Sequence, residues 1–151
     1  MKHFLQFAQC AAGLLLLSAT AYAERVVVDG INYETNDDNF TATVVASDGE
    51  PYKGALVIPA SITYNNRTYD VTNIESTAFS YNGFITSVDI HAPITETGSM
   101  FSGCTSLTSV SLPETVTTIG SYAFSGCTSL ASFTVDNNIS TIGSVSYTHL
   151  R

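Results

Sequence analysis

Leu107, Val110 and Leu112 are apolar positions three and two residues apart, separated by Thr and Ser. The same spacing recurs at Ile85, Val88 and Ile90, and again at Leu130, Phe133 and Val135. The intervening residues are rich in Thr, Ser and Val, and Pro93 and Pro113 follow two of the segments, so each predicts a short strand and not a helix. A second apolar pair follows in each unit, at Val71 and Ile74, Val116 and Ile119, and Ile139 and Ile142. Ala78-Phe79 and Ala123-Phe124 supply a third contact at a turn.

These positions repeat with a fixed period. The segment FSGCTSL occurs at residues 101–107 and again at 124–130, an offset of 23. Phe79, Phe101 and Phe124 mark successive units 22 and 23 residues long, the shorter lacking a residue near Thr97-Gly98. A period of this length predicts coils that stack, each burying its apolar side chains against the next and none folding alone. Parallel strands of adjacent coils should lie about 4.8 Å apart in a sheet running along the stack.

The N-terminal part lacks the period. Val26-Val27-Val28, Ile31-Asn32-Tyr33 and residues 40–45 read as antiparallel strands separated by Asp29-Gly30 and by an Asn-Asp turn at 36–39. A stack exposes an apolar end that a different segment has to cover, so residues 24–53 are expected to form an N-terminal β cap. Residues 54–144 then hold three to four coils, with a hairpin turning at Asn65-Asn66 inserted into the first. The expected fold is mainly β, a solenoid of 22–23-residue coils with parallel strands, capped by antiparallel strands and hairpins.

Both ends stand apart. Lys2 and His3 precede a mostly apolar run at 4–17, and Ala21-Tyr22-Ala23 offers small residues for cleavage, so residues 1–23 read as a signal peptide cut after Ala23. The mature chain would be secreted or held at the cell surface, with no later segment long and apolar enough to span a bilayer. At 145–151 the repeat motif breaks off, leaving a truncated or non-native tail or a degenerate coil with Tyr147 in the phenylalanine slot.

Charge narrows the partners. The net charge is −8, and cleavage after Ala23 removes one of the five basic residues and none of the 13 acidic ones. Arg25, Lys53, Arg67 and Arg151 are scattered singly, so no basic stripe exists to hold nucleic acid or an anionic lipid surface. His3, His91 and His149 form no constellation, and no nucleophile elbow, zinc-protease helix or phosphate loop is present; no catalytic residue, metal or cofactor is expected. Cys104 and Cys127 hold equivalent positions in adjacent coils. They read as small buried thiols, with a disulfide as the alternative because their alpha carbons should lie within bridging distance. Asp37-Asp38 and Asp136-Asn137-Asn138 fit turn chemistry without a calcium ion.

Residues 107–130, LTSVSLPETVTTIGSYAFSGCTSL, resemble the leucine-rich repeat of the BspA-like family, and the likeness extends over about residues 54–144. The coil at 80–101 departs from it, with Asn82 where Cys104 and Cys127 stand. The resemblance implies a parallel-stranded solenoid of a cell-surface or secreted protein, often with a role in adhesion, and no catalytic residues.

The polar positions between inward residues are the candidate binding surface: Thr86, Ser87 and Asp89, then Thr108, Ser109 and Ser111, then Ser132 and Thr134. In rows on one exposed sheet face they suit many-point contact with an extended partner, a protein of a host or neighbouring cell or a polysaccharide; solubility alone is the plain alternative. Tyr81 and Tyr122, with Tyr64 or Tyr69, are candidates for stacking on sugar rings. Adhesion is the leading expectation, with carbohydrate capture or a passive spacer for a missing C-terminal domain as alternatives.

Overall fold

A computed structural model describes residues 23–131, 133 and 138–144. Residues 1–22, Ser132, residues 134–137 and residues 145–151 lie outside the described residues, so the signal peptide, two of the expected face residues, Val135, Asp136-Asn137 and the tail are not placed.

Ten strands and no helix occur among the described residues. Strands β1 (Glu24–Val28) and β2 (Ile31–Asn36) form a hairpin through Asp29 and Gly30, both left-handed at φ 50° and 80°, the conformation a two-residue turn needs. Strand β3 (Thr41–Val44) pairs antiparallel with β2. Strand β4 (Gly54–Ile58) opens the first parallel layer, and β5 (Ser61–Tyr64) and β6 (Arg67–Ile74) form the hairpin expected at Asn65-Asn66, with φ 49° and 62°. Strand β7 (Ile85–Ile90) and β8 (Ser109–Ser111) continue the layer, and β9 (Thr118–Ile119) and β10 (Thr141–Ile142) form a parallel pair on another side of the coils.

The cap and the first coil share a sheet. Its order is β1-β2-β3-β6-β5, with β3 parallel to β6 and Val44 opposite Ile74. Strands β5 and β6, which follow residue 53, therefore pair into the sheet of the cap strands. The cap also imitates a coil. Glu75 N donates to Val44 O at 2.8 Å just as Gly143 N donates to Ile119 O at 2.8 Å, and Tyr52 packs edge-on against Phe79 with ring centroids 5.6 Å apart. Tyrosine suits that position because its hydroxyl donates to Val45 O at 2.7 Å and accepts from Asn32 N at 3.1 Å, tying the cap strands to the stack.

An aromatic ladder runs through the interior. Phe79 and Phe101 stack at 5.8 Å, Phe101 and Phe124 at 5.4 Å with planes 6° apart, and Phe133 closes on Phe124 at 4.7 Å. Phe79, Phe101 and Phe124 are all buried, each worth about 1.5–3 kcal/mol of burial before ordering entropy is charged against it. Beside the ladder, Cys104 Sγ donates to Phe79 O and Cys127 Sγ to Phe101 O, each at 3.0 Å. Asn82, at the same position one coil earlier, donates from Nδ2 to Tyr52 O at 3.0 Å. The substituted coil is therefore not opened at that point.

The short coil is accommodated where the spacing placed its gap. Thr97 occupies the inward position held by Ile74 and Ile119, fully buried, and its Oγ1 accepts from Gly120 N at 3.1 Å. The backbones close up there, so a Cβ on Gly120 would lie 2.3 Å from Gly98 O. At the far end of the described stack Ile139 is half-buried and Ile142 exposed.

Candidate binding face

Strands β4, β7 and β8 form one parallel sheet in that order, built from the apolar spacing read in the sequence. Leu56, Val88 and Val110 pair across it and pack on the interior. The alternate positions form two outward rows: Ala55, Ser87 and Ser109, and Val57, Asp89 and Ser111. Four of the expected face residues thus stand side by side, and the rows end on β4 in apolar side chains, with Val57 56% exposed.

Thr86 and Thr108 meet in a different way. The register shifts at the start of β7, Gly54 opposing Ile85 and Ala55 opposing Ser87, which leaves Thr86 as a bulge residue. Both the N–H and the hydroxyl of Thr108 donate to Thr86 O at 2.8 Å. That hydroxyl is committed to joining coils. The same holds for Ser106 to Gly83 O at 2.6 Å, Thr115 to Ile94 O at 2.7 Å and Ser129 to Thr105 O at 2.6 Å. Much of the Ser and Thr content therefore satisfies carbonyls of the preceding coil, a use that composition alone could not separate from partner contact.

The charge on this face is concentrated at Asp89. The His91 ring, with Nε2 3.0 Å away, and the Ser111 hydroxyl both bond its carboxylate and hold its pKa below the ordinary value. His91, read in the sequence only as a strand-end residue, belongs to the face; its signal was the two-residue spacing from Asp89, which puts both side chains on one side of a strand. The arrangement offers an acceptor-rich, weakly charged surface.

Other candidates are placed as follows. Cys104 and Cys127 are free and buried, and burial pushes their thiols up to about 12 and about 11, away from thiolate chemistry. Tyr81 and Tyr122 are exposed, but Tyr69 is buried and its hydroxyl donates to Asp37, so it cannot stack on an incoming sugar. Asp38 N bonds the Asn36 side chain at 2.9 Å, as a turn would have it. Among the described residues no cluster of three or more His, Cys, Asp and Glu is placed to hold a metal ion, and no helix is long and apolar enough to cross a membrane.

A family model described as a BspA type leucine-rich repeat region matches residues 59–150 in 6 copies. The chain belongs to the BspA-type leucine-rich repeat family. Among solved structures of leucine-rich repeat proteins, one from Bacteroides ovatus is 29% identical with a TM-score of 0.69, over 78% of this chain and 31% of that one. One from Bacteroides capillosus is 28% identical with a TM-score of 0.60, over 78% of this chain and 86% of that one. A leucine-rich repeat protein of T. pallidum, 21% identical with a TM-score of 0.58 over 80% of this chain and 54% of that one, shares the fold. The chain spans about a third of the length of the B. ovatus protein. No match was found among curated proteins. In the BspA-type frame, the inward leucine positions of the repeat are the residues at 85, 88, 90, 107, 110 and 112, and the outward rows between them are set by that packing.

Proposed function

We propose that the chain is a binding module of a secreted or cell-surface protein, used in adhesion to a protein of a host or neighbouring cell through the outer face of β4, β7 and β8. The observation that supports this reading is the registered pair of rows, Ala55-Ser87-Ser109 and Val57-Asp89-Ser111, on strands whose inward residues are locked into the core. A rigid surface of small hydroxyls with an apolar flank gives weak contacts that add along an extended partner at little ordering cost. The chain's acidity sets nucleic acid and anionic lipid aside as partners.

The test is adhesion of the full chain to cultured cells and to immobilised matrix proteins, comparing the parent with Ser87→Arg/Ser109→Arg. These two adjacent exposed or half-buried positions tolerate large side chains in the fold, so thermal stability should hold while binding falls at least tenfold. Unchanged adhesion by a variant with an unchanged melting temperature would remove the sheet face from consideration.

A further inference from the structure

Four aromatic side chains stand exposed among the described residues: Phe40, Tyr81, Phe84 and Tyr122. Three of them, Phe40, Tyr81 and Tyr122, have left-handed backbones, at φ 54°, 57° and 60°. The other non-glycine residues with positive φ are Asp29, Asn65 and Asn66, which belong to tight turns where Asp and Asn are at home. A bulky side chain in this region is strained; Phe40 and Tyr122 are about half buried and Phe40 lies 6.3 Å from the Tyr69 ring, whereas Tyr81 gains little burial to offset that strain.

Tyr81 is the most pronounced case. It occupies the position held one and two coils later by Gly103 and Gly126, at φ 74° and 76°. The backbone hydrogen bonds are the same, Tyr81 N to Ser102 O at 2.6 Å and Gly103 N to Ser125 O at 2.7 Å. Glycine therefore satisfies this turn elsewhere in the chain, and here a tyrosine stands in its place with 84% of its surface exposed. Its ring edge lies where a Cβ on Gly103 would come within 2.7 Å of Cδ1, so the bare glycine beneath leaves room for the ring.

The surroundings are polar and uncharged. Tyr81 borders a pocket of about 210 Å³ shared with Ser47, Gly49, Pro51 and Thr77, and no charged side chain lines it. Thr77 is exposed, and Tyr122 stands two coils on at the corresponding place before the buried phenylalanine. Tyr122 is thus displaced along the stack by the two ladder steps of 5.8 and 5.4 Å from Thr77, the residue that shares the pocket with Tyr81. The turn edge presents two left-handed, solvent-facing rings, at different positions of the repeat, beside hydroxyl and backbone groups. Flat aromatic faces with an uncharged polar surround suit the apolar face of a pyranose, whose hydroxyls point outward around it.

We infer that the turn edge bearing Tyr81 and Tyr122 is a second binding site, separate from the sheet face, for an uncharged oligosaccharide that lies along the stack with sugar rings on the two tyrosines. Tyr81 is the primary platform and Tyr122 the second.

The test titrates the full chain with cellohexaose, mannohexaose and maltohexaose, read by tyrosine emission, since the protein has no Trp, and by chemical shifts. Saturable binding to at least one sugar is expected, weakened at least tenfold by Tyr81→Gly and severalfold by Tyr122→Ala, and unaltered by Ser87→Arg/Ser109→Arg. Tyr81→Gly should melt no lower than the parent, because glycine is the residue this turn uses in the next two coils. The inference is overturned by an absence of binding to all three sugars, by full affinity in Tyr81→Gly, or by a lower melting temperature in that variant, which would show that the ring serves the fold.

Discussion

Asn82 donates from its side chain to Tyr52 O across one coil at 3.0 Å, the role that Cys104 performs toward Phe79 O one coil later. Its Oδ1 also accepts from Phe84 N at 2.8 Å and Ile85 N at 3.2 Å, pinning the start of β7. Asn82→Ala leaves these groups without protein partners and should cost about 1–3 kcal/mol. Urea denaturation followed by circular dichroism measures it; a loss within error would mean that water replaces the side chain at no cost.

Phe101 is the centre of the aromatic ladder, with rings stacked on both sides and no exposed surface. Phe101→Ala should destabilise by about 3–5 kcal/mol, and unfolding should stay cooperative, because the cavity opens between coils that cannot fold singly. A loss under about 1 kcal/mol would contradict a packed interior at this position.

Gly120 has no room for a methyl group. A Cβ there would meet Gly98 O at 2.3 Å, and its backbone does not lie in the left-handed region, so any penalty is steric. Gly120→Ala should cost about 1–3 kcal/mol by forcing the two coils apart. Gly49→Ala, with nothing within 4 Å and no positive φ, is the control and should be near neutral.

The buried thiols set an alkaline limit on stability. In the unfolded chain they ionise near the ordinary value of 9.0, whereas in the fold Cys104 and Cys127 hold their protons up to about 12 and about 11. Above pH 9 the unfolded chain therefore sheds protons that the folded chain keeps, and stability should fall as pH rises toward those values. Tyr33, pushed up to about 12 by burial, acts in the same direction above its ordinary value. Urea midpoints between pH 7 and 11 should decline, and less steeply in Cys104→Ala/Cys127→Ala. At pH 8 a thiol reagent should label Cys104 and Cys127 of the native protein only as fast as it opens, read by peptide mapping that separates them from Cys10; immediate labelling of either would place it at the surface.

The coil period, the inward residues and the site of the missing residue near Thr97 were legible because burial in a stack demands the same side chain at the same place in every turn. The hairpin at Asn65-Asn66 was legible for a similar reason, since adjacent residues tolerating left-handed backbone mark a tight turn wherever they fall. The outward polar rows of β7 and β8 followed from the two-residue alternation of a strand, but which hydroxyls remain free did not. Thr108 and Ser109 are neighbours of like chemistry, and only the position of the Thr86 carbonyl separates the committed hydroxyl from the open one.

Sequence by itself determined that this chain stacks coils around an aromatic and aliphatic interior, because periodic burial is written into periodic residue types. Tertiary structure decided what periodicity cannot encode. Strands β5 and β6 join the cap sheet, Asn82 takes over a cysteine's hydrogen bond, and a strained tyrosine stands where later coils use glycine. Each of these depends on which backbone groups from distant residues arrive at one point, and hydrogen-bond partners and close approaches exist only once the coils are laid on one another.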